Sequence, residues 1–250
     1  MIERITSRQN KTVKYIRALS RERDLRHSAG EFVCDGEKLL LEAVAEHMEI
    51  PLVLASEVAA ERLPDIPGAK ICVAPQDILD SITTLKTAQS VIFTCRMKKA
   101  EYKAMPCALL LDRLQDTGNL GTIIRTADAF GIGAVFEDGC ADIYNPKTVR
   151  SAMGSIFRVP VVSADFTELI PRLRAEGMKV YASELYGDVM ELPDTDLNNA
   201  AVIIGNEGNG VRREVAQLAD ASVIIPMRGG AESLNAAVAA SIFMYKMSGR

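Results

Sequence analysis

The sequence is poor in the residues and runs that mark several common functions. It has two histidines, His27 and His47, both in stretches that read as polar helix, which argues against a histidine-bound metal centre or a Ser-His-Asp hydrolase. Five cysteines (Cys34, Cys72, Cys95, Cys107, Cys140) are scattered without a CxxC pair, so they read as small core residues rather than disulfides or zinc ligands. No metal is expected. The apolar runs, such as VIIPM and ALLLD, are far too short to span a bilayer. MIERITSRQNKTVKYI is charged where a signal peptide has an apolar centre. The expectation is a cytoplasmic chain with no membrane partner. Neither GxGxxG nor GxxxxGK[ST] occurs, which counts against a dinucleotide-dependent oxidoreductase and a P-loop enzyme.

What is present is a globular composition: 250 residues, 48% hydrophobic, enough for one large domain or two small ones. Net charge is −4, no sign of a nucleic-acid partner, but the cations are unevenly spread. Through residue 30 they are Arg4, Arg8, Lys11, Lys14, Arg17, Arg21, Arg23 and Arg26, against Glu3, Glu22 and Asp24. A second cluster, Arg96, Lys98, Lys99 and Lys103, precedes Pro106. Such runs are usually solvated faces, yet two near one end also suit a polyanion, because phosphate neutralisation needs Lys and Arg grouped on one surface.

The apolar pattern predicts helix over 8–28, then strand, glycine turn and helix in EFVCDGEKLLLEAVAEH, then strands in PLVLAS, AKICVA and SVIFTC. After a linker, short apolar strands alternate with helices from CALLLD to the end. The fold class is therefore α/β, with a mostly parallel sheet covered on both faces. The expected division is 1–95, a linker over 96–106, and 107–250.

Three loops at the carboxyl ends of strands stand out, where ligands collect in such sheets. RLQDTGNLGTIIRTADAFG places Gly118 and Gly121 in an expected tight turn, with a helix from Asn119 carrying Arg125. IIGNEGNGVRREV groups three glycines around Asn206, Glu207 and Asn209, either to let a ligand approach the backbone or simply to turn the chain. IPMRGGAESLNAAVAASIF turns at its glycines, offers Ser233 as a helix cap and continues into a helix thin with alanine. Alanine there reflects helix propensity or something packed closely against the helix.

NLGTIIRTADAFG, IIGNEGNGV and IPMRGGAESLNAAVAASI, in this order, resemble the three motifs of the SpoU (TrmH-like) branch of the SPOUT RNA methyltransferases. NPKTVRSAMGSIFRVPV extends the likeness. ITSRQNKTVKYIRAL and GEFVCDGEKLLLEA are similar to the small ribosomal-protein-like RNA-binding domain many members carry. The resemblance implies a C-terminal SPOUT domain with a deep trefoil knot, a small N-terminal α/β domain for substrate, and a homodimer formed through the C-terminal domain. It implies S-adenosyl-L-methionine as cofactor, held by the backbone around Gly205, Asn206, Gly208, Ile225 and Leu234 with Met227 lining the pocket. The implied reaction is methylation of an RNA ribose 2′-hydroxyl, in large-subunit rRNA first and tRNA as the alternative.

By the same resemblance Arg125 contacts the phosphate or the 2′-oxygen. A guanidinium hardly deprotonates in proteins, so stabilising a developing alkoxide suits it better than acting as base. Asn119 and Glu207 match positions that orient the arginine and the site loop, and Ser233 and Asn235 match the polar pair of the third motif. Ala237 departs from the small polar residue common in relatives, which bears on a supporting hydrogen bond rather than on activity. RNA contact is expected at Arg8, Lys11, Lys14 and Arg17. A non-catalytic RNA-binding module is the rival from another class, and it has no need of these five polar motif residues.

Overall fold

The computed structural model describes residues 2–82, 89–100, 105–184 and 189–249. Lys103, part of the second basic cluster, lies outside them, as does part of the expected 96–106 linker. The chain divides into two compact units: Met1–Lys99 with Tyr144–Phe157, and Ala100–Ile143 with Arg158–Arg250.

In the first unit the elements run β1 (Glu3–Arg4), α1 (Lys11–Arg21), α2 (Arg23–Ala29), β2 (Glu31–Asp35), α3 (Glu37–Ala45), β3 (Leu52–Ala55), α4 (Glu57–Ala60), β4 (Lys70–Val73), α5 (Gln76–Asp80) and β5 (Val91–Arg96). The sheet order is β1-β4-β3-β5-β2. β4 is parallel to β1 and β3, whereas β5 is antiparallel to both its neighbours. Side chains alternate across a strand, and here both faces are apolar. Phe32, Cys34, Val53, Ala55, Val91, Phe93 and Cys95 pack on one side with Leu39, Leu40 and Ala43 of α3. Val33, Leu52, Leu54 and Ile92 pack on the other with Val13, Ile16 and Leu19 of α1. Val149 and Phe157, from the later segment, complete the first cluster. Asn10 caps α1 by accepting from Thr12 N–H at 2.7 Å.

The second unit begins with β6 (Cys107–Asp112), α6 (Thr117–Phe130) and β7 (Ala134–Asp138). α7 (Pro146–Ala152) and α8 (Ser155–Arg158) follow, largely within the segment that belongs to the first unit. Then come β8 (Val161–Ser163), α9 (Phe166–Ala175), β9 (Lys179–Ala182), β10 (Val189–Glu191), β11 (Ala200–Ile204), α10 (Arg213–Ala216), β12 (Ala221–Ile224) and α11 (Ala236–Met247). Seven strands lie in the order β10-β12-β9-β11-β6-β7-β8, every pair parallel. Fully buried Leu, Val, Ile and Ala fill the central strands, as a sheet covered on both faces requires. Phe166, Leu169, Ile170 and Leu173 of α9 cover one face; α11 packs on β6 and β11 and against α6.

Two local expectations are corrected. Gly118 and Gly121 lie inside α6 rather than in a tight turn, since Asp116 caps that helix and accepts from Asn119 N–H at 2.7 Å. Gly118 leaves room for this cap: a Cβ there would come within 3.0 Å of Asp116 Oδ1. Ser233 does not cap α11. Asn235 does, accepting from Ala237 N–H at 2.9 Å and Val238 N–H at 3.3 Å.

Candidate functional site

The site forms at the carboxyl ends of β6, β9, β11 and β12, where parallel strands leave their last backbone groups open to a ligand. β11 ends at Ile204, and the chain turns through residues 205–210, with Asn206 and Gly210 exchanging two backbone hydrogen bonds of 2.9 Å. Only glycine fits at 205: a Cβ there would lie 2.2 Å from Gly210 C and 2.3 Å from Val211 N. Asn206 stiffens the turn. Its Oδ1 accepts from Gly208 N–H at 3.0 Å and Asn209 N–H at 3.1 Å, while its Nδ2 donates to Arg113 O at 2.8 Å.

Glu207 is the hub. Its carboxylate accepts from Gln115 N–H at 3.2 Å, Asp116 N–H at 3.1 Å and Asn119 Nδ2 at 3.2 Å. Asn119 Oδ1 then accepts from Asn235 Nδ2 at 3.0 Å. A single run of hydrogen bonds therefore joins the loop after β11, the start of α6 and the cap of α11. Burial, the largest single influence on Glu207, pushes its pKa up. Hydrogen bonds from its own N–H, Asp116, Asn119 and Gln115 together outweigh it and hold the carboxyl below the ordinary glutamate value of 4.5. Its role as acceptor is thus secured at neutral pH.

Beside the hub opens a cleft of about 750 Å³, within the range of cofactor sites. Gly205, Asn206, Gly208, Ile225, Met227 and Leu234 all line it, together with Glu207, Ser233 and Asn235. Ala236 and Ala239 form part of the same wall, while Ala237 and Ala240 are buried. Larger side chains at 236 and 239 would fill the cleft, so the thin helix has a local reason. Glu184, at the end of β9, adds a carboxylate to the lining; burial raises its pKa against a hydrogen bond from Ser222.

Below the turn lies an ion-pair cluster outside the expected site residues. Asp112, fully buried at the end of β6, accepts from Arg212 N–H at 2.7 Å and Nε at 2.6 Å, and Arg212 Nη2 also pairs with Asp138 at the end of β7. The partners are far apart in sequence, so no local spacing announces them. Asp116 is different, since an aspartate just before a helix is a recognisable cap. The loop after β6 is further held by Cys140, whose thiol donates to Leu111 O at 3.1 Å and accepts from Leu114 N–H at 3.2 Å. Burial pushes its pKa up to about 12.

Arg125 stands apart from the hub. It lies six residues beyond Asn119 on α6, about 9 Å along the axis and about 120° around it. It is exposed, and among the described residues its guanidinium has neither hydrogen bond nor ion pair. Where α6 and α11 pack together, Phe130 and Tyr245 pair edge to face at 5.9 Å.

In the first unit the four basic candidates differ. Lys11 and Lys14 are exposed on α1 with no side-chain partner among the described residues. Arg8 pairs with Asp77 at 2.9 Å on the surface. Arg17 is half-buried and donates to Ser81 O at 3.2 Å and Ser81 Oγ at 2.9 Å.

Comparisons with known proteins agree with this geometry. Residues 106–245 match the SpoU rRNA Methylase family, and residues 10–92 match the MRM3-like substrate binding domain. The chain is 36% identical to the 23S rRNA (guanosine(2553)-2′-O)-methyltransferase RlmP of Bacillus subtilis, over 99% of this chain and 100% of that protein. It is 32% identical to the 23S rRNA (uridine(2479)-2′-O)-methyltransferase of Streptomyces viridochromogenes, over 97% and 91% of the two chains. The AdoMet-bound rRNA methyltransferase from Sinorhizobium meliloti superposes with a TM-score of 0.88 at 31% identity, over 98% of this chain and 97% of that one. The fold, the matched motifs and near full-length relatives agree, and the chain belongs to the SpoU rRNA methylase family.

Proposed function

We propose that this protein transfers a methyl group from S-adenosyl-L-methionine to a ribose 2′-hydroxyl of large-subunit rRNA. The observation that carries the reading is the Glu207–Asn119–Asn235 run at the mouth of a cofactor-sized cleft, in a chain whose full-length relatives are named as rRNA 2′-O-methyltransferases.

The cleft suits the cofactor chemically. Ile225, Met227, Leu234, Ala236 and Ala239 offer apolar wall to an adenosine, and the turn at Gly205 leaves backbone open to it. The cofactor supplies an electrophilic methyl on a sulfonium and requires no metal. The protein's task is then to hold the 2′-oxygen in line and close. Ser233 and Asn235 orient the ribose edge, Asn119 and Glu207 keep Asn235 in place, and Arg125 stabilises the alkoxide as the proton leaves to phosphate or water.

Arg125 has no partner in its own chain among the described residues, which supports a homodimer formed through α6 and α11 that brings it to a site. Val238 and Tyr245, 48% and 52% exposed on α11, supply apolar contact for that interface. The trefoil knot belongs to this reading as an expectation of the family, with residues 205–211 as the tight turn in it. Residues 1–95 serve as the RNA-binding domain, 96–106 as the linker and 107–250 as the transferase, with the 144–157 segment of the last belonging structurally to the first unit, in the cytoplasm.

The test is transfer of labelled methyl to unmodified large-subunit rRNA and, separately, to tRNA, followed by mapping of 2′-O-methyl positions. Label at one ribose of the rRNA is expected. Label confined to tRNA, or none with intact cofactor binding, overturns the substrate assignment.

A further inference from the structure

Arg113 occupies backbone that arginine disfavours. It follows Asp112 at the end of β6 with φ at +54°, a left-handed conformation that glycine adopts freely and long side chains rarely do. Three hydrogen bonds hold the residue there. Its N–H donates to Asp138 O at 2.9 Å, and its carbonyl accepts from Asn206 Nδ2 at 2.8 Å and Gln115 Nε2 at 3.1 Å. All three use the main chain, so the junction of the loops after β6, β7 and β11 makes no use of the arginine side chain.

The side chain itself is exposed, although both neighbours in sequence, Asp112 and Leu114, are fully buried. Its stem lies over Gly139, where a Cβ would come within 3.3 Å of Arg113 Cγ. Among the described residues the guanidinium has no hydrogen bond or ion pair. The nearby carboxylates of Asp112 and Asp138 are already taken by Arg212. Arg113 is also absent from the lining of the cleft, so its charge is not placed for the cofactor's carboxylate. The result is a cation on backbone held by three hydrogen bonds, one of them from the loop that carries Glu207, and without an internal counter-ion among the described residues.

We propose that Arg113 anchors a phosphodiester of the RNA strand at the methylation site. A guanidinium meets a phosphate through two parallel N–H donors, and a fixed root reduces the ordering that contact costs. The proposal rests on the RNA-methyltransferase reading above and adds a residue to it.

Arg113→Gly tests the anchor without risking the fold, because glycine is unstrained at this φ and every backbone bond is retained. Binding of an unmodified large-subunit rRNA transcript is measured across a range of KCl concentrations, alongside kcat, KM for RNA, cofactor affinity and Tm. The expected variant has a salt slope lower by about 0.7–0.9, a KM for RNA raised about tenfold, and kcat, cofactor affinity and Tm held or, for Tm, raised. Arg113→Lys recovers the salt slope, because the charge returns while the strain stays. An Arg113→Gly protein with wild-type slope and KM overturns the anchor, as does a loss confined to cofactor affinity or a slope that Lys leaves lowered. If wild-type protein neither binds nor methylates the transcript, the functional reading fails with it; if wild type methylates and Arg113→Gly is indistinguishable, the anchor alone fails.

Discussion

Around the cleft of the second unit, polar side chains answer one another: Glu207 takes three N–H donors, from Gln115 and Asp116 just before α6 and from Asn119 in its first turn, Asn119 bridges to Asn235, and Arg212 joins two aspartates. On the outer face of α1 in the first unit, Lys11 and Lys14 reach solvent without a partner among the described residues. The first arrangement fixes geometry before any ligand arrives, as a methyl transfer in line requires. The second leaves charge uncommitted, as a surface for a polyanion requires, because each cation already neutralised inside the protein releases fewer counter-ions from RNA. Arg125 and Arg113 share the second character while rooted in the unit of the first.

The sharpest way to break the fixed side is Gly205→Ala. The new Cβ meets only backbone, 2.2 Å from Gly210 C, so the turn must move; about 3 kcal/mol of stability and all cofactor binding should go, as read by thermal melts and calorimetry. Arg125→Ala should leave stability and cofactor affinity alone, since the side chain is exposed and partnerless among the described residues, while kcat falls by about 10²–10³ in a methyl-transfer assay. Glu207→Gln puts an amide donor where Gln115 and Asp116 also donate, and roughly a tenfold loss of kcat/KM is expected.

The same carboxylate gives a pH signature. Its folded pKa is lowered, so its contribution to stability is complete above the ordinary glutamate value of 4.5 and fades as pH falls through the lower folded one. In Glu207→Gln that acid-limb dependence should shrink, which stability measured against pH will show. Smallest is the effect on the uncommitted side: Lys11→Gln with Lys14→Gln should keep Tm and kcat, yet lower the salt slope of RNA binding by about 0.7 for each phosphate no longer neutralised. Arg17→Gln should differ by also lowering Tm, because Arg17 holds Ser81.

The major strands and helices were legible because apolar runs of strand length alternated with amphipathic segments, and the three loops stood out through their glycines. Short edge strands were not: β1 and β10 have two and three residues, too few for any periodicity. Residues 144–157 pack with the first unit, and nothing in their local pattern says so, since Val149 and Phe157 are as apolar as core residues anywhere. Ser233 and Asn235 are both good caps, and sequence alone does not choose between them. Once Asn119 Oδ1 engages Asn235 Nδ2, the remaining Oδ1 of Asn235 is placed for the helix end. Asp112, Asp138 and Arg212 illustrate the general limit, for their pairing is created by the sheet order.

The run from Glu207 to α11 also has a direction. It begins at a group that only accepts, passes through two amides, and ends at helix N–H groups that only donate. Neither asparagine can turn over without setting donor against donor, and an aspartate at 119, though the same shape, would face Glu207 with like charge. Heredity should therefore treat positions 119, 207 and 235 as one word rather than three letters, with any lineage that rewrites one obliged to rewrite the others.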